Sequence, residues 1–239
     1  MPIFESVNFT RTNGDFTGVS GNRRVPASGE RRIPRFSVLW GVAAASIWVS
    51  AGMAIAQRHT EEELRSLPRV CLAQVTVNSW LRQPIVPEAE RKLWAQRLGE
   101  KDYLHFHHFC AGLIDMNRAA AATGEIERAH YYRRALTNFE YVQRNASRAF
   151  AMMPEVNLQK GLALRLLGDH AAAAVELREA ITLKQDYTPA YAALADLLVD
   201  LGDIDSAKEL LRHGLSVAPS SKMLATKLAQ IESAETKPQ

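Results

Sequence analysis

The chain has 239 residues, 47% of them hydrophobic and 23% charged, with two cysteines and a formal net charge of +3. That length suits one domain of ordinary size. The charge is unevenly placed: Arg11, Arg23, Arg24, Arg31, Arg32 and Arg35 against Glu5, Asp15 and Glu30 give residues 1–35 all of it, so everything from Gln57 onward sums to zero. A neutral body has no electrostatic footprint for nucleic acid, and that class of partner is excluded.

Residues 1–35 are rich in Gly, Ser, Asn, Pro and Arg, show no apolar period, and are expected to form a disordered basic tail. Residues 36–56, from Phe36 to Ala56, are uncharged throughout, with arginines before them and Glu61, Glu62 and Glu63 soon after. The arginine bias places the N-terminus in the cytoplasm and everything beyond Ala56 across the membrane. Two readings of this segment stand side by side. Ala54-Ile55-Ala56 before Gln57 has the small-x-small form of a signal-peptidase site. Yet 21 uncharged residues exceed the usual core of about 7–15 in a signal peptide and suffice to span a bilayer of about 30 Å as an anchor. A 35-residue lead is long for a signal and points to a later translation start. Arg31-Arg32 is followed by Pro34 and Arg35 where a twin-arginine signal needs apolar residues, and no lipidation cysteine ends the run. Either reading gives an exported, periplasmic domain or one anchored in the inner membrane and facing outward, with 36–56 as its sole membrane contact.

Residues 57–153 are expected to form a divergent helical region. Thr60 with Glu63 is a capping box for a short helix ended by Pro68. Residues 69–86 give no clear element. Pro87, Glu88 and Glu90, then Leu93, Trp94 and Leu98 on one side, then Gly99, predict a helix over 88–98. Phe106, Phe109, Cys110, Leu113 and Met116 predict one over 103–119, and Thr123-Gly124 breaks it. A long helix over 125–147 would place Ile126, Ala129, Tyr132, Leu136, Phe139 and Val142 on one stripe.

From Pro154 the chain is written twice at a period of 34 residues, 154–187 and 188–221. The halves share Leu164/Leu198, Leu167-Gly168-Asp169/Leu201-Gly202-Asp203, Ala173/Ala207 and Leu177-Arg178/Leu211-Arg212. A fixed period of this length means stacked supersecondary units that cannot bury their apolar faces singly. The last stretch, 222–239, carries a helix near 221–234 with Leu224, Leu228 and Ile231 inward and Lys222, Lys227 and Glu232 outward, a polar cap for the exposed end of an array.

The two units resemble tetratricopeptide repeats. The second follows the pattern at Tyr191, Leu194, Ala195, Leu198, Gly202, Ala207, Leu211, Gly214 and Pro219. The first carries Gly161, Leu164, Gly168, Ala173, Leu177 and Ala180, and departs at Asn157, Lys160 and Gln185, where an aromatic, Leu and Pro are usual. The resemblance implies an all-α fold, a short right-handed superhelical array of antiparallel helical hairpins, with residues 104–153 as a degenerate hairpin of the same kind. It also implies a groove lined by the first helix of each hairpin: Glu155, Leu158, Leu162, Arg165 and Leu166 from one unit, Ala192, Asp196, Val199 and Asp200 from the other. A Lys/Asn clamp for a C-terminal carboxylate is missing, since Leu158, Leu162, Ala192 and Asp196 stand there. Leucines with one Arg and two Asp suit a helix or extended peptide bearing apolar and basic groups; the alternative is that these residues pack against the divergent hairpin. The exported portion is also similar to bacterial envelope proteins of this repeat class.

His105-Phe-His107-His108-Phe-Cys110 is the unusual polar cluster of the chain. His107 and Cys110 share a helix face, and with Cys71 they would make a soft metal site, but the spacing matches no known ligand pattern, so no metal and no cofactor is expected. An even cysteine count and an oxidising compartment favour a Cys71–Cys110 disulfide; two buried thiols are the alternative. Motifs for phosphate cradles, nucleophile elbows and zinc proteases are absent. Asn145-Ala-Ser147 fits a glycosylation acceptor but falls late on a helix. The sequence therefore reads as a non-enzymatic module that holds another protein or peptide, an adaptor or assembly factor of the bacterial envelope. The competing readings are a metal-binding or thiol-redox domain at 57–153 docked through the repeats, and a membrane-anchored repeat subunit of an envelope complex.

Overall fold

A computed structural model describes residues 60–75 and 86–235. The basic tail, the 36–56 segment, residues 76–85 and the last four residues lie outside that description. The described residues form ten helices, with no strand among them and no helix long and apolar enough to cross a membrane.

Thr60 opens α1 (Glu61–Arg65): its hydroxyl accepts from the Glu63 amide at 3.2 Å while the Glu63 carboxylate accepts from the Thr60 amide at 2.7 Å. Pro68 ends α1 and also starts α2 (Arg69–Val75), its carbonyl accepting from the amides of Cys71 and Leu72. A seven-residue helix is too short to show a period, which is why the sequence left it unassigned. Pro87 precedes α3 (Glu88–Leu98), and Gly99, at φ 82°, ends it. The expected apolar side of α3 is corrected: Leu98 is buried, but Leu93 is exposed and Trp94 is half-buried beneath the Arg97 guanidinium.

The divergent hairpin pairs α4 (Glu100–Ala121) with α5 (Glu125–Asn145). Phe106, Phe109, Cys110, Ile114, Met116 and Ala119 are buried on the first, Tyr132, Ala135, Phe139 and Val142 on the second. Gly112 sets their separation, because a Cβ there would lie 2.4 Å from the Phe139 ring. Two sequence expectations fail here. Ile126 is 89% exposed rather than on the inner stripe, and Ile114 takes the deeper seat while Leu113 is half-buried. Ile126 lies on the first turn of α5, where no described neighbour covers it.

The regular part follows as α6 (Met153–Leu166), α7 (His170–Leu183), α8 (Thr188–Asp200) and α9 (Ile204–Val217), then α10 (Lys222–Glu235). Each Leu-Gly-Asp triplet does two jobs. Gly168 and Gly202 take φ values of 83° and 79°, which a residue with a Cβ rarely adopts, and end one helix. Asp169 and Asp203 then cap the next, accepting from the amides of Ala172 at 3.1 Å and Ser206 at 3.2 Å. Between helices the small positions are filled as the repeat requires: Ala173, Leu177, Ala180, Ala190, Leu194 and Leu197 form one buried cluster, and Tyr191, Ala195, Ala207, Leu211 and Leu224 the next. Sequential helices pack pairwise, α4 on α5, α6 on α7, α8 on α9, with α10 lying on α8 and α9. α10 buries Leu224 and half-buries Leu228 and Ile231, and exposes Lys222. Lys227 departs from the outward position expected of it and reaches Asp196 on α8 at 2.5 Å. The helices α1, α2 and α3 all rest on α4 and cover the opposite end.

Candidate functional site

The helices α6, α8 and α10 share one face, with α8 touching both others. The nine groove residues named from the sequence separate into three groups on it. Leu158 and Ala192 are core residues, 5% and 7% exposed, and Glu155 is buried at the start of α6. Leu162, Leu166 and Val199 remain open, Leu166 at 51% and the other two half-buried. Arg165, Asp196 and Asp200 make a cross-helix ladder. The Arg165 guanidinium donates to Asp200 at 2.7 Å and to the Asp196 carbonyl at 3.5 Å, and the Asp196 carboxylate accepts from Lys227 at 2.5 Å. The charges of this face are therefore committed to each other across three helices. Lys227 was missed because a lysine on a terminal helix reads as a solvent position, and its partner Asp196 lies on another helix. Its signal was its separation: Arg165 to Asp196 and Asp196 to Lys227 are both 31 residues, the same step in consecutive repeats.

Glu155 accepts from the Gln159 amide at 2.9 Å and from the Tyr187 hydroxyl. Burial pushes its carboxyl above the ordinary range, against the pull of Gln159 and Lys184. It belongs to the packing rather than to an open surface.

Two of the three positions where the first unit leaves the repeat pattern meet in one buried polar cluster. Asn157 accepts from Gln143 of α5 at 2.8 Å, and Gln143 also donates to Glu176 of α7 at 2.7 Å. Lys160 donates to Gln143 at 2.8 Å and pairs with Glu176 at 2.9 Å, the ionic side chains being 14% and 16% exposed. A fully satisfied network of this kind fixes relative placement, since any slip leaves charge unpaired. It joins the divergent hairpin to the first regular one, beside the packing of Leu136 on the next core cluster and the Arg148–Glu179 pair.

The histidine cluster is structural in its bonding. His107 Nδ1 bonds the Leu104 carbonyl at 2.8 Å, and the Tyr141 hydroxyl contacts His105 Nδ1 at 3.5 Å. His108 stacks on Tyr141 at 3.7 Å and bonds Asn138 Oδ1 at 2.9 Å, while Asn138 donates to Asp115 at 3.3 Å. Asp115 is 2% exposed and pairs with Arg134 at 3.3 Å. Burial raises its carboxyl above the ordinary range, opposed chiefly by Arg134. Burial holds the His108 imidazole below its ordinary range, against the bond to Asn138. Cys71 and Cys110 are joined in a disulfide with both residues fully buried, so neither sulfur is free for a metal. Among the described residues no three His, Cys, Asp or Glu converge as metal ligands.

A hollow of about 330 Å³ lies where the last turns of α8 and α10 meet the first turn of α9, lined by Val199, Ile204, Gln230, Ile231 and Ala234. Of these, Val199 alone was named from the sequence as a groove residue, and Ile231 as an inward residue of the last helix.

Residues 164–231 match the family model described as tetratricopeptide repeat. Comparison with curated proteins returned no match. Among solved structures, the chain is similar to TTC0263, a thermophilic TPR protein in Thermus thermophilus, at 20% identity over 67% of this chain and 88% of that one, with a TM-score of 0.49. It is also similar to the first TPR of Spaghetti (RPAP3) bound to the HSP90 peptide SRMEEVD, at 17% identity over 53% and 97%, TM-score 0.39. A third is the second TPR domain of human RPAP3 with the HSP70 peptide SGPTIEEVD, at 17% identity over 51% and 98%, TM-score 0.37. The family match falls on the stretch that holds both glycine turns, both aspartate caps and the close alanine and glycine contacts, and residues 164–231 are tetratricopeptide repeats.

Proposed function

We propose that this protein is a non-enzymatic module of the bacterial cell envelope that holds another protein or peptide segment, an adaptor or assembly factor. The observation that carries the reading is the shared face of α6, α8 and α10, stacked hairpin on hairpin, with Leu162, Leu166 and Val199 left open on it. An array of stacked hairpins that leaves apolar side chains partly uncovered on one face offers anchors to a partner at little ordering cost to itself. Placement outside the cytoplasm is supported by the 36–56 segment and by a disulfide built into the fold, a bond that persists where the surroundings are oxidising. Crosslinking in intact cells followed by affinity recovery tests the function. An envelope protein recovered reproducibly, and lost when Leu162 and Leu166 are changed to Asp, is the expected result; no specific partner after crosslinking overturns it. Mass spectrometry of the natural N-terminus decides between an exported and an anchored form, since a chain beginning at Gln57 excludes the anchor.

A further inference from the structure

We infer that the hollow between α8, α9 and α10 is a socket for a partner segment in which an apolar side chain is flanked by Lys or Arg. The inference rests on the peptide-holding function proposed for the chain and names the chemistry of what is held. Four of the five lining residues, Val199, Ile204, Ile231 and Ala234, are apolar, and the space of about 330 Å³ admits one large aliphatic or aromatic side chain. The last turns of α8 and α10 and the first turn of α9 converge there, and among the described residues α10 has no hairpin mate and nothing is laid across the three helix ends.

The rim decides the charge of the occupant. In the Arg165–Asp200 pair the cation is 13% exposed and the carboxylate 34%; in the Lys227–Asp196 pair the values are 23% and 40%. The Lys208–Asp205 pair, beside Ile204, repeats the pattern at 15% and 95%. In each case the side chain of the cation is more covered than that of its carboxylate partner. The fourth pair, Arg212 with Glu232 next to Ile231, has both members about half-exposed and favours neither sign. An approaching segment therefore meets an apolar floor on helices α8 and α9, whose better exposed charges are Asp196, Asp200 and Asp205, each held in an ion pair. A basic segment gains attraction on approach and an apolar anchor on arrival, whereas an acidic one is repelled.

The test uses the full chain and a labelled short peptide alternating leucine and lysine, with one twin carrying glutamate for each lysine and another serine for each leucine. Fluorescence anisotropy is expected to show the leucine–lysine peptide binding at least about tenfold tighter than either twin, with an affinity that falls as salt is raised. Ala234→Arg, at an exposed position, places a cation at the mouth of the hollow; it is expected to weaken binding about tenfold and leave the melting temperature unchanged. A photoreactive leucine analogue in the peptide should crosslink to residues among 199–204 and 230–234. Equal binding by the glutamate twin, no binding at all, indifference to Ala234→Arg, or a dimer of the chain that occupies Ile231 overturns the socket. Crosslinks at Leu162 and Leu166 overturn it while leaving the peptide-holding reading in place. Failure of the in-cell recovery overturns the reading itself.

Discussion

At the scale of single residues, two kinds of position decide most. Gly112 is fixed by space: with a Cβ 2.4 Å from the Phe139 ring, α4 and α5 must part for any side chain. Gly112→Ala is expected to cost about 1–3 kcal/mol, read as a lower urea midpoint at unchanged slope. Glu155 is fixed by burial. Its carboxyl is raised in the folded state, so the native chain binds protons more readily than the unfolded one. The sign follows: the stability it contributes is full below the unfolded value of about 4.3 and is lost as pH rises through the folded value. Glu155→Gln keeps the chance of bonding Tyr187 without the charge. Urea melts across mildly acidic to neutral pH should show a flatter profile for the variant, and stability at neutral pH equal to the wild type or better. A profile parallel to wild type would mean the carboxyl is not perturbed.

At the scale of elements, the polar cluster and the disulfide tie unlike parts together. Lys160 stands where the repeat usually has Leu, and the reason is visible in its partners Gln143 and Glu176. Lys160→Leu restores the family residue yet leaves Glu176 short of its cation, and the expected result is a loss of about 3 kcal/mol rather than a gain. Chemical denaturation of that variant checks it. The covering helices α1, α2 and α3 are held on α4 by the Cys71–Cys110 bond, the Arg118–Glu63 pair and contacts such as Gln74 with the Tyr103 carbonyl. Changing both cysteines to Ala is expected to cost about 2–5 kcal/mol. Hydrogen exchange should show that loss first in α1 to α3, with α6 to α10 still protected.

At the scale of the molecule, what could be read from the sequence tracked regularity. The 34-residue period placed the turns at Gly168 and Gly202 and the contacts at Ala173, Leu177, Ala207 and Leu211, because a repeat states each requirement twice. Where the period lapsed, local pattern misled: Ile126 fitted a helical stripe but no neighbour lies over it, and Leu93 fitted a short helix that buries little besides Leu98. The groove positions were readable as places and not as states, since Arg165 is taken up by Asp200 and Asp196 by Lys227 from the next helix. The hollow was unreadable for a similar reason: it is the gap left by three helix ends, and no single stretch contains it. One feature also sets a schedule for the chain's maturation. Cys71 and Cys110 are 39 residues apart and are the only two cysteines, so the earlier thiol must wait for α4 to emerge, and then has one intramolecular mate to choose. Refolding from the reduced chain should accordingly speed up with an added oxidant and not with an added isomerase, measured as the rate of thiol disappearance. The molecule depends on a supply of oxidising equivalents and has nothing to reshuffle.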